Sequence, residues 1–184
     1  MRRDFAEFLK LSYEWELAVK RLFEARGFEV FHFQRSQAWS QEHQQRLRQI
    51  HGDPAIRLAR FFPDLVAYRK DVGGVMLDAK AEKRTDTPNV SVELQAVQCY
   101  NDLAPGVGAV LVVFNTEPAS FAWSTEIDKL ISKRFEDPAY LGGVSGSGTP
   151  FGLIRKSELR PLSEWLDKPR AQSGPRRAEG PASS

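Results

Sequence analysis

Charged residues stand at set places inside two apolar runs that flank a Gly-Gly turn, and no other feature narrows the fold so far. The runs are Phe61-Phe62-Pro63-Asp64-Leu65-Val66-Ala67-Tyr68 and Val75-Met76-Leu77-Asp78-Ala79-Lys80-Ala81, connected by Arg69-Lys70-Asp71-Val72-Gly73-Gly74. Two short β-type runs joined through glycines predict an antiparallel hairpin. Side chains alternate along a strand, so Asp78 and Lys80 share one face while Ala79 turns to the other. Closing the hairpin about its connector is expected to bring Asp64 opposite residues 80–81, within reach of that face. Charged groups inside apolar strands are disfavoured, so two carboxylates and an ammonium converging there call for a purpose. Hard oxygen ligands suit Mg2+, commonly held by one or two carboxylates plus substrate phosphate, with Mn2+ as a substitute ion. The competing reading is an ordinary ion pair on an edge hairpin.

A third acid follows from helical phase. Asp4 to Arg26 holds no Pro or Gly and is rich in helix formers, so one helix is expected there, stopped by Gly27 and followed by an alternating strand, Phe28 to Phe33. At about 100° per residue, Phe5, Phe8, Leu9, Trp15, Val19, Leu22 and Phe23 form one apolar stripe, and Glu16 falls within it. An acid turned toward the core is rare unless it is paired, hydrogen-bonded or bound to a metal. Glu16 is therefore the candidate for a helix-borne acid at the hairpin site. The alternative is an acid at the margin of the stripe, reaching out to water.

Glu16 eleven residues before Gly27, then Pro63-Asp64, then Asp78-Ala79-Lys80, resembles the PD-(D/E)XK nuclease superfamily, with the archaeal-type Holliday-junction resolvases as the nearest match within it. Glu14-Trp15-Glu16-Leu17, Arg21-Leu22-Phe23 and Gly27-Phe28 are similar to the first-helix region of those resolvases. The resemblance implies an α/β fold with a restriction-endonuclease-like core, a mixed β-sheet flanked by helices. It further implies that Asp64 and Asp78, with the Ala79 carbonyl, bind the metal. Lys80 would support the attacking water, Glu16 would complete the metal site, and Gln95 resembles a glutamine often found beside such sites. Two departures stand out. Residues 36–60 read as an insertion ahead of the hairpin, and the second motif acid is Asp78 where Glu is commoner.

The chain of 184 residues suits one compact domain, expected over 1–168, with a Pro-, Gly- and Ser-rich tail over 169–184 expected to be disordered. Nothing approaches a membrane span, the N-terminus lacks a signal-peptide core, and the lone Cys99 can form no internal disulfide, so a cytoplasmic enzyme is expected. The net charge of +2 is uneven: the tail carries all of it, whereas residues 35–70 hold seven basic against three acidic groups. Arg35, Arg46, Arg48, Arg57 and Arg60 lead directly into the hairpin and are the candidate phosphate contacts. They could equally lie on a solvated helix. Downstream, a helix is expected over Ser91–Leu103, a buried strand over Gly108–Phe114, a strand from Phe121 and a helix over Ile127–Phe135. A strand over Phe151–Ile154 and a closing helix over Leu159–Trp165 complete the core. The functional expectation is a Mg2+-dependent DNA endonuclease, a resolvase of four-way junctions acting as a two-fold homodimer. A restriction- or repair-type nuclease and a DNA-binding scaffold with a structural motif remain open beside it.

Overall fold

The computed structural model describes residues 2–33, 54–82, 86–136 and 149–167, apart from the side chains of residues 2–6, 8–9 and 54–57. Helix α1 (Arg2–Glu24) opens the chain. It ends where Gly27 takes φ 76°, a left-handed conformation that a Cβ makes costly. The stripe predicted on it is seen at Val19 and Phe23, both fully buried, while Phe5, Phe8 and Leu9 fall outside the described side chains.

The hairpin forms as predicted in type: β2 (Leu65–Arg69) pairs antiparallel with β3 (Gly73–Lys80). Strand β1 (Glu29–His32) adds to the outer edge of β2. Phe61 belongs to a helix instead, α2 (Pro54–Phe61), because the extended stretch begins only after Pro63. After β3 come β4 (Asn89–Glu93), α3 (Leu94–Val107), β5 (Leu111–Phe114), β6 (Ser120–Trp123) and α4 (Ser124–Leu130). The chain continues through β7 (Ile131–Phe135), β8 (Phe151–Arg155), the two-residue β9 (Arg160–Pro161) and α5 (Leu162–Leu166).

Among the described residues these strands make two sheets. One has the order β1-β2-β3-β5-β6-β9 and is mixed, since β3 and β5 run parallel and the rest antiparallel. The other is antiparallel, β4-β8-β7. Alternation along the main sheet builds two cores. Leu65, Leu77, Leu111 and Val113 face α1 and α5; Val112 and Phe114 face α3, α4 and the small sheet. Phe23 is central to the first core, with its ring 5.3 Å from Phe28 and 5.4 Å from Trp165. Phe23→Ala should cost about 3–5 kcal/mol, measured by urea unfolding, because nothing nearby can fill the space.

Three expectations need correction. Ser91 to Glu93 are strand rather than the start of a helix, and α3 begins at Leu94. Ile127 to Phe135 divides between α4 and β7, since the apolar residues there suit a strand paired with β8. The closing helix starts at Leu162, because Arg160 and Pro161 pair with β6. The rest of the insertion read over 36–60, before Pro54, and the tail over 169–184 lie outside the described residues, as do His43 and His51.

Candidate active site

The hairpin register sets the site. Leu65 lies opposite Leu77, so Asp64, one residue earlier, meets Asp78 and Ala79 rather than residues 80–81. The expected register was about two residues too long, because the turn is tighter and Gly73 itself pairs with Arg69. Asp64 is held at both ends. Its carbonyl accepts the Phe33 N–H at 2.9 Å, and its carboxylate Oδ2 accepts the Ala79 N–H at 3.0 Å.

Asp78 points from β3 to the opposite face from Ala79 and is 2% exposed. Lys80 Nζ stands 2.9 Å from Asp78 Oδ2. Among the described residues, Lys80 is the partner of this buried oxygen. Glu16, half-buried on α1, lies close enough to feel both residues. Its pKa is raised by burial first and by Asp78 next, against the pull of Lys80. Trp15 anchors this part of α1 over the sheet, its Nε1 donating to the Val113 carbonyl at 3.3 Å.

The electrostatics describe an acid-rich cluster with one cation. Burial lifts Asp64 well above the usual carboxylate range, and Asp78 and Glu16 add to the lift, while Lys80 and the Ala79 N–H oppose it. Burial alone would lower Lys80, yet Asp78, Glu93 and Asp64 outweigh it and hold the amine above its ordinary value. Lys80 is therefore a cation at neutral pH. The donor set is chemically suited to a hard divalent ion: two carboxylates that meet across the hairpin and repel one another, which is the protein's usual share of a Mg2+ site. Among the described residues no three Asp, Glu, His or Cys groups converge at metal-cage spacing, so Glu16 stands beside the pair rather than completing a ready-made cage.

Four residues that sequence reasoning passed over surround this cluster. Glu93, at the end of β4, is the second-strongest charge acting on Lys80. Just beyond Lys80, Ser91 donates to Glu82 Oε1 from its backbone N at 2.6 Å and its hydroxyl at 3.0 Å. Asn115 brackets the same residue, accepting the Glu82 N–H at 2.7 Å and donating to its carbonyl at 3.3 Å, while the Asn115 N–H reaches the Lys80 carbonyl. Ser91 and Glu93 were concealed by reading their segment as helix, where positions two apart diverge by about 200°. In a strand they share a face. Asn115→Ala should leave the fold intact and lower any turnover that depends on Lys80 by about tenfold, with substrate affinity unchanged, as a kcat-against-KM comparison would show.

Gln95 is half-buried in the first turn of α3, and no hydrogen bond among the described residues joins it to the acids. Arg60 lays its guanidinium 4.8 Å from the centre of the Phe61 ring. Arg35, Arg46 and Arg48 lie outside the described residues, as does the side chain of Arg57. No helix among the described residues is long and apolar enough to cross a membrane.

No protein-family model and no curated protein matches this chain. Solved structures do. The chain is similar to Archaeoglobus fulgidus Hjc, a Holliday junction resolvase from an archaeal hyperthermophile, at 13% identity and a TM-score of 0.50, covering 85% of this chain and 96% of that one. D212, a nuclease from a fusselovirus, also matches at 14% identity and a TM-score of 0.42, with 88% of each chain covered. The mixed sheet with helices on its faces, carrying the hairpin of Asp64, Asp78 and Lys80, thus has the fold of Hjc.

Proposed function

We propose that this protein is a metal-dependent DNA endonuclease, a resolvase of Holliday junctions in the first instance. The observation that carries the reading is the meeting of Asp64, Asp78, Lys80 and Glu16 around one end of the hairpin, in a fold like that of Hjc. Asp64, Asp78 and the Ala79 carbonyl would hold Mg2+, which supplies charge for the scissile phosphate and acidifies an attacking water. Lys80, kept protonated by its acidic neighbours, orients that water and offsets charge developing on the phosphate oxygens. Glu16 would accept hydrogen bonds from water held at the two aspartates.

A scaffold that binds DNA without cutting it is the second reading. It is favoured by the Asp78–Lys80 pair, which already neutralises the most buried acid, and by the lack of a three-ligand cage among the described residues. Incubating the protein with four-way junctions, linear duplex and single strands, with and without Mg2+ or Mn2+, separates the readings. The resolvase reading expects paired, metal-dependent cuts confined to junctions. Cleavage of all duplexes would make the protein a restriction- or repair-type nuclease, and metal-independent binding without cutting would establish the scaffold.

A further inference from the structure

We infer that the outer face of the small sheet is a binding track for an unpaired DNA strand leaving the active site. The inference rests on the nuclease reading and points, within it, to branched DNA that carries a single-stranded arm rather than to a fully paired four-way junction. Directly opposed residues of an antiparallel pair project to the same side, so the register assigns the face. Ser91 lies opposite Leu153, which lies opposite Lys133; Glu93 lies opposite Phe151, which lies opposite Phe135; Asn89 lies opposite Arg155. The other face is sealed into the second core by Val90, Val92 and Ile154. Gly152 belongs to that sealed side, where a Cβ would come 2.9 Å from the Ile131 side chain. Phe151 and Leu153 are therefore committed to the outer side.

Two properties of this face point to a nucleic-acid strand. First, it is continuous with the candidate active site: Glu93 acts on Lys80, and Ser91 holds Glu82 two residues further along the catalytic strand. Second, it interleaves aromatic and cationic groups. Phe135 and Phe151 stack at 4.7 Å with planes 14° apart, and Lys133 Nζ stands 4.7 Å from the Phe135 ring centre. Lys133 and Arg155 are both exposed. The neighbouring Arg134 is engaged elsewhere, with Asp128 at 2.8 Å and Glu136 at 3.7 Å. A sheet face carrying a stacked aromatic pair offers the outer ring face of Phe151 to a base and the Lys133 and Arg155 cations to phosphates. Paired bases keep their faces stacked inside the duplex, and groove reading needs an inserted helix or ribbon. An unpaired strand fits and a duplex does not.

Fluorescence anisotropy with the full chain in EDTA tests this, using a labelled duplex with a single-stranded arm and the same duplex blunt-ended. The double substitution Lys133→Glu/Arg155→Glu should weaken binding of the armed duplex at least tenfold and flatten its salt dependence, while the blunt duplex changes less than twofold. Phe151→Ala should weaken the armed duplex about tenfold without altering the salt slope. Circular dichroism establishes folding, and Arg155→Gln replaces any variant that fails it. Equal weakening on both DNAs, or none on either while the wild type binds, overturns the track and leaves the nuclease reading standing. Absence of DNA binding by the wild-type protein in EDTA also overturns the track, and the cleavage assay with Mg2+ decides the nuclease reading separately.

Discussion

Asp78→Ala is expected to abolish phosphodiester cleavage, and Lys80→Ala to lower it by about 10²–10³-fold, with DNA affinity and fold retained in both. Asp78 is the most buried acid of the cluster and the direct partner of Lys80, so removing it takes away the proposed metal donor and the lysine's anchor together. Lys80 keeps Glu93 and Asp64 nearby after that loss, so it stays charged and the hairpin stays folded. Asp78→Asn, which preserves side-chain volume, should be equally inactive, because an amide cannot replace the carboxylate charge. Single-turnover cleavage of a junction, read beside anisotropy and far-UV circular dichroism, measures all three quantities. Undiminished cutting by either alanine variant would remove these residues from the chemistry.

Asp64→Asn is expected to do the opposite to stability. Burial and the charges of Asp78 and Glu16 raise the pKa of Asp64 in the folded protein above its ordinary value of 3.8. The folded state thus binds the proton more tightly than the unfolded state. The stabilising contribution is present in full below the unfolded value and is lost as pH rises through the raised folded value. As pH rises through that raised value, the metal-free wild type takes on the repulsion among the acids. Asparagine removes the charge but keeps an oxygen to accept the Ala79 N–H, so the variant should melt higher at pH 7, by roughly 2–4 °C per kcal/mol relieved, and match the wild type near pH 3. Mg2+ should raise the melting temperature of the wild type and have little effect on the variant. Thermal scans at both pH values with and without Mg2+ provide the check. A wild type that melts above Asp64→Asn at pH 7 without metal would show that the cluster is already neutralised by its lysine.

The hairpin, the acid on the first helix and the buried parallel strand were legible because each is a local pattern repeated over several residues. Leu65 and Leu77 turn inward beside Asp64 and Asp78, Leu111 to Phe114 is an unbroken apolar run, and Val19, Phe23 and Glu16 fall on one side of a 3.6-residue turn. Local periodicity also carried Asp78 and Lys80 to a shared face. It failed at Ser91–Glu93 and at Ile131–Phe135, where short segments of mixed polarity fit either period and pairing with β8 decided the outcome.

Residue order alone determined which chemistry this chain can host: two aspartates and a lysine in adjacent strands, with a glutamate on an amphipathic helix. Tertiary structure alone decided their distances and their partners. The two-residue difference in hairpin register, the approach of Glu93 to Lys80, and the Asn115–Glu82–Ser91 bracket all join segments far apart in the chain. Such contacts leave no periodic trace, because strand pairing is chosen by the packing of whole sheet faces and not by the residues that later meet across them.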